Sequence, residues 1–370
     1  MSINDIILYI MVGFMILGAI DRIIGNKFGL GEKFEEGILA MGALAVAMIG
    51  VISLAPVLAK WLSPIVVPIY TALGADPAMF ATTLLANDMG GYPLAMNLAL
   101  TPEAGQFAGI ILGAMMGPTI VFTIPVALGI IGKEDHKALA KGILAGLITI
   151  PIGCLAGGIA AGFDLGMVLS NLVPIIIVSL LLAVGLALIP DKMINGFVVF
   201  GKGVVIVITI GLAAIIIETL TGIVIIPGMD PISEGFEVVG HIAIVLAGAF
   251  PMVHVITKVL SKPLMKMGKV LGMNDAAAAG MVATLANNIP MFGLMKDMDE
   301  RGKVINVAFA VSASFILGDH LGYTAGVERE LIFPMIVGKF VGGVTAVFVA
   351  MVFLKITEKN KGKEVMQKGA

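Results

Sequence analysis

Three acids and one lysine fall within apolar stretches of the chain: Asp88, Glu218, Asp319 and Lys339. An ionisable group at the centre of such a stretch costs at least ~2.5–3.5 kcal/mol on insertion scales, so it usually marks a ligand pathway or an ion pair. Asp88 lies in Leu85-Ala86-Asn87-Asp88-Met89-Gly90-Gly91-Tyr92-Pro93. Asp319 follows a second polar break, Leu285-Ala286-Asn287-Asn288-Ile289-Pro290. Two converging carboxylates could hold a cation; alternatively one or both pair with Lys339 or cap a half-helix. Asn87, Asn287 and Asn288 each bring two donors and an acceptor. They could meet a hydroxyl or an ammonium, or serve as helix caps. Tyr92 and Phe292 follow the two breaks and offer either an aromatic face to a cation or plain packing. His320 adjoins Asp319, and an imidazole titrating near neutrality could relay a proton or pack against a backbone partner. Glu218 reads as structural or as a subunit contact. The candidate binding residues are therefore Asp88, Asn87, Asp319, Asn287, Asn288, Tyr92 and Phe292, with His320 a candidate for proton coupling.

The elements that position these residues must lie in lipid. Only 13% of the 370 residues are charged, 59% are hydrophobic, and mean hydropathy is +1.06. An ordinary soluble domain is about 25% charged, and a soluble chain of this size cannot hide so much apolar surface. A cytosolic enzyme, a secreted disulfide scaffold and a disordered chain are thus excluded. Net charge is −2, with no basic domain to suggest nucleic acid. Cys154 is the single cysteine and reads as a small packing residue. The sequence carries no P-loop, nucleophile elbow or metal-ligand spacing, so neither cofactor nor metal is expected and the chain does not read as an enzyme.

Apolar stretches of spanning length occur near 3–20, 38–58, 108–131, 142–162, 168–189, 203–226, 238–257, 304–325 and 331–354. Two weaker ones, 78–97 and 276–295, contain the Asn-bearing breaks. Landmarks recur in one order: Leu73-Gly74 with Leu271-Gly272, then Leu85-Ala86-Asn87 with Leu285-Ala286-Asn287. Further on, Gly117-Pro118 corresponds to Gly318-Asp319, and Gly153, Gly157 and Gly158 to Gly338, Gly342 and Gly343. The chain reads as one membrane domain, with repeat one near 34–163 and repeat two near 236–355. If all eleven segments cross, Lys and Arg divide evenly, eleven to a side. If the two weak segments enter and leave on one side, twenty lie inside and two, Lys60 and Arg329, outside. The positive-inside rule selects the second arrangement. The expected fold is all-α and polytopic: about nine spanning helices and two re-entrant segments in inverted repeats, N-terminus outside and C-terminus cytoplasmic. Inverted repeats with broken helices at the midplane are a secondary-transporter architecture.

Several phrases resemble the EutH ethanolamine permease family. They are Phe34-Glu35-Glu36-Gly37, Asp88-Met89-Gly90-Gly91, Met115-Met116-Gly117-Pro118-Thr119-Ile120-Val121-Phe122, Pro125-Val126-Ala127-Leu128-Gly129 and Thr149-Ile150-Pro151-Ile152-Gly153-Cys154. A short loop between the first two spans departs from members with a longer insertion. The resemblance implies a bacterial inner-membrane permease importing ethanolamine, a small ammonium alcohol. The alternatives are an ion-coupled carrier for another small amine or polar metabolite and, from a different class, a membrane-embedded enzyme or sensor. A homodimer is the expected assembly.

Overall fold

The computed structural model describes residues 2–368, with the side chains of all but 264, 267 and 357–368. Most of the Lys-rich tail counted above as interior therefore lies outside the described side chains. The chain runs through α1 (Ile3–Ile23), α2 (Leu30–Ala72), α3 (Ala78–Leu84), α4 (Gly91–Leu98) and α5 (Pro102–Ile130). Then come α6 (His136–Ala160), α7 (Leu165–Leu188), α8 (Pro190–Thr221), α9 (Ile232–Val270) and α10 (Asp275–Thr284). The last four are α11 (Asn288–Leu294), α12 (Glu300–Ala313), α13 (Asp319–Val327) and α14 (Ile332–Lys368). Among the described residues there is no strand. Eight of these helices are long and apolar enough to cross a membrane. The ninth expected span, 304–325, is not one continuous helix. It divides into α12 and α13 around residues 314–318.

Polar side chains start the helices at the chain ends and turns. Ser2 Oγ accepts from the Asp5 N–H while the Asp5 carboxylate accepts from the Ser2 N–H, a reciprocal cap on α1. Asp164 caps α7 through the Met167 N–H, and Asn274 caps α10 through the Ala277 N–H.

The two weak segments fold back on themselves. In the first, α3 and α4 pack together around the turn Asn87–Met89. The Asp76 carboxylate clamps its mouth, accepting from the N–H of Ala78 at 2.9 Å and of Leu100 at 3.0 Å. In the second, α10 packs on α11. Asn274 clamps that mouth by donating to the Asp297 carbonyl at 2.8 Å and, through its N–H, to the Asp299 carboxylate at 3.0 Å. The hairpins enter from opposite ends of the bundle. The first opens beside the start of α5. The second opens beside the start of α12, where Lys303 pairs with Asp135 beyond the far end of α5 at 2.6 Å.

Each hairpin break seats on a second break in the helix that follows. The Asn87 N–H donates to the Gly113 carbonyl at 2.9 Å, where α5 is interrupted; wide, π-type turns flank the interruption at Phe107–Leu112 and Thr119–Thr123. Such turns in a helix commonly mark functional positions. In the second hairpin, the Phe315 and Leu317 N–H groups donate to the Thr284 and Leu285 carbonyls at 3.2 and 2.9 Å. Glycine is required at both crossings. A Cβ on Gly117 would lie 1.9 Å from the Leu85 carbonyl oxygen, and one on Gly318 would lie 2.1 Å from that of Ala286. Beyond the breaks, α6 and α14 cross through Gly153, Gly157, Gly338 and Gly342, with backbones in direct contact. Small residues permit this approach where lipid supplies no hydrophobic drive between helices.

Candidate functional site

Asp88 and Asp319 face one cavity. It is small, about 40 Å³, and its wall also includes Met89, Pro118, Phe122, Phe315 and His320. Space of that order holds only a few water-sized groups, since one water needs ~10–15 Å³ by this kind of measure. Asp88 sits in the tight turn between the first hairpin's helices, with its N–H bound by Asn87 Oδ1 at 3.0 Å. Asp319 is the first residue of α13. There its carboxylate lies at the positive end of a half-helix. Neither carboxylate has a side-chain salt bridge among the described residues.

Lys339 is the conspicuous cation nearby, and it is fully buried. Its Nζ donates to the Ala114 carbonyl within the α5 interruption and lies 2.9 Å from Nδ1 of His320. The expected alternative of a direct Lys339–carboxylate pair is not what forms. A neutral carbonyl and an imidazole hold the Nζ instead, and that imidazole, His320, also lines the cavity. With Lys339 as the ammonium donor, Nδ1 accepts and the ring proton of His320 sits on Nε2.

The remaining candidates separate into distinct places. Asn87 is buried beside Asp88, and its Nδ2 has no hydrogen-bond partner. Asn288 is buried and donates to Thr123 Oγ1 of α5 at 2.9 Å, leaving its Oδ1 unpartnered. Asn287 acts as a cap, accepting from the Ile289 N–H at 2.8 Å, while its side of the turn faces a vestibule. Tyr92 does not line the cavity. Gly90 takes a left-handed φ of +89° and turns the chain between Asp88 and Tyr92. Phe292 does not line it either and is packed in the core at 1% exposure. The aromatic walls are Phe122 and Phe315, 5.6 Å apart and edge-on, with Phe315 also against the His320 ring at 5.1 Å. Only the position of Phe122, just after Gly117-Pro118, hinted at this in the sequence.

The surroundings of the cavity are unequal. On one side Asp319 also borders a vestibule of about 480 Å³ that contains Asn287 and His254 and is rimmed by Lys33 and Glu36. On the other, Glu328 at the end of α13 ties the elements together. Tyr92 Oη donates to it at 2.6 Å and Gln106 Nε2 at 3.1 Å, while Tyr92 stacks edge-on against Tyr323.

Long apolar helices around two broken hairpins define an all-α, multi-pass membrane protein. The chain belongs to the EutH family: the family described as "Ethanolamine utilisation protein, EutH" matches residues 3–353. It is 73% identical over 365 residues, 98% of each chain, to a protein of Listeria monocytogenes named "Probable ethanolamine permease EutH". A protein of Escherichia coli K12 with the same name is 54% identical, with 96% of each chain covered. "Uncharacterized protein YxeR" of Bacillus subtilis is 57% identical over 94% of each chain. No solved structure matches.

Proposed function

We propose that this protein is an ethanolamine permease of the bacterial cytoplasmic membrane, working by alternating access around the cavity between the two hairpins. One observation carries the reading: carboxylates from two separate broken elements, Asp88 and Asp319, share one small cavity. Ethanolamine has four heavy atoms and is largely protonated at neutral pH. Its ammonium needs anionic partners once it leaves water. Asp88 and Asp319 supply them, with Phe122 and Phe315 as aromatic walls. The unpartnered Asn87 Nδ2, next in the chain to Asp88, is a donor for the hydroxyl.

The Lys-rich end faces the cytoplasm by the positive-inside rule, so the vestibule opens inward and the Tyr92–Glu328–Gln106 contacts close the outer side. The N-terminus is then outside and the C-terminus cytoplasmic. The paired breaks support an inverted repeat, in which the two halves exchange roles as the site opens to either face. The names of the relatives support ethanolamine as the substrate.

Uptake of labelled ethanolamine into proteoliposomes is expected to collapse in Asp88→Asn. Uptake equal to wild type in that variant would remove Asp88 from the site. The same assay, run with and without inward proton and sodium gradients, reads the coupling mode: proton dependence that is lost in His320→Gln assigns it to His320, and indifference to both gradients assigns facilitated transport. A carrier leaves ethanolamine chemically unchanged, which separates this reading from an enzyme.

A further inference from the structure

Lys339 is the feature that the binding scheme above does not use. A fully buried ammonium is normally paired with a carboxylate, because an uncompensated charge in the interior is costly. Here its two partners are neutral, the Ala114 carbonyl and His320 Nδ1.

The charges around it can be counted element by element. Between Phe107 and Ile130, α5 has no titratable residue. In the membrane part of α6, after Lys141, the only one is Cys154, and α12 has none after Lys303. From Ile332 to Leu354, α14 carries Lys339 alone. α13 supplies Asp319, His320 and Tyr323, and the first hairpin supplies Asp88 and Tyr92. The phenols are neutral at ordinary pH, and His320 is neutral because its Nδ1 faces an ammonium. Glu328 is engaged on the other side by Tyr92 and Gln106, and Glu36 is at the solvated vestibule rim. The cluster therefore holds two carboxyl groups and one amine, a net charge of −1 when each has its ordinary ionisation.

We propose that Lys339 is a tethered cation that leaves the cavity one positive charge short, so that it accepts a single monoammonium and rejects a diammonium. This rests on the reading of the cavity as the ethanolamine site. Lysine suits the task because its compact ammonium fits one carbonyl and one imidazole, whereas a planar guanidinium demands a fork of acceptors. Held by neutral partners, Lys339 sets the charge of the site without occupying either carboxylate. Both remain free for the substrate.

The test is competition against labelled ethanolamine uptake by ethylenediamine, at mildly acidic pH where both of its amines are protonated. Ethylenediamine keeps the two-carbon spacing and replaces the hydroxyl by a second ammonium. Wild type is expected to take up ethanolamine and to be inhibited weakly by the diamine. In Lys339→Gln, inhibition by the diamine relative to ethanolamine is expected to strengthen roughly tenfold or more, the scale of a desolvated charge pair. An unchanged ratio in a folded Lys339→Gln protein, or strong diamine inhibition of wild type, overturns the proposal. Absence of ethanolamine uptake by wild type overturns the function reading instead. Should Lys339→Gln fail to fold, the double variant Lys339→Gln/Asp88→Asn restores the net charge of the cluster. Recovery of a monodisperse protein then supports charge balance, since the two side chains are not salt-bridged. Failure to recover assigns Lys339 to packing and overturns the proposal.

Discussion

Phe315 has φ +62°, a left-handed conformation that a bulky side chain rarely adopts. Strain of this kind costs ~1–3 kcal/mol and persists only where the surroundings impose it. Here the Phe315 N–H is bound to the Thr284 carbonyl and its ring is wedged between Phe122 and His320. The strain therefore holds an aromatic ring at the cavity wall four residues before Asp319. Phe122, on the opposite helix, carries no such strain, so substituting it isolates the role of the ring. Phe122→Leu keeps apolar volume and removes the π face. It is expected to raise the KM for ethanolamine about 2- to 30-fold, the range of a cation–π contribution, with protein yield unchanged. An unaltered KM in the uptake assay would assign Phe122 to packing. Both phenylalanines were hard to find in the sequence because they are two of 18 in an apolar chain and offer no contrast with their neighbours. Asp88, Asp319 and Lys339 were conspicuous for the opposite reason. One partner of Lys339, the Ala114 carbonyl, was hidden because a backbone carbonyl has no signature in residue type.

At the scale of elements, the hairpins depend on their mouths as much as on their breaks. Asp76 makes two backbone-to-carboxylate hydrogen bonds that join the ends of the first hairpin, and its own N–H donates to Asn171 of α7. Asp76→Ala leaves the Leu100 N–H without that acceptor and is expected to destabilise the protein by ~1–3 kcal/mol. Thermal unfolding of the detergent-solubilised protein would report this as a lower Tm. Both hairpins were legible in the sequence, since Gly, Pro and Asn interrupt an apolar run and the distribution of Lys and Arg strongly disfavours a crossing. The divided path of α12 and α13 was not. Residues 304–325 have the hydropathy of an ordinary span, and the interruption arises from contact with the Thr284–Ala286 backbone, which lies distant in sequence.

Across the whole molecule, the side of the cavity at Glu328, outer in the proposed orientation, is fastened by few polar contacts among the described residues. Tyr92→Phe removes the shorter of the two hydrogen bonds to Glu328 while keeping the edge-on stack with Tyr323. One such bond is worth about 0.5–1.5 kcal/mol net, enough to shift a two-state population roughly 2- to 10-fold. A cysteine replacing Met89 in the cavity wall, in a Cys154→Ala background, should therefore react faster with a membrane-impermeant thiol reagent from outside when Tyr92→Phe is added. Equal rates would show that these contacts do not gate the site.

The two spaces that share Asp319 differ in volume by an order of magnitude, about 480 against about 40 Å³. This mismatch makes the protein pharmacologically one-sided. A compound with an ammonium head and a bulky apolar body could seat its charge at Asp319 and its body among Phe250, Val253 and Val282 of the vestibule. It would be too large to pass into the cavity. In the proposed orientation such a molecule would act as a wedge from the cytoplasmic face and have no purchase from the other, inhibiting transport without ever becoming cargo.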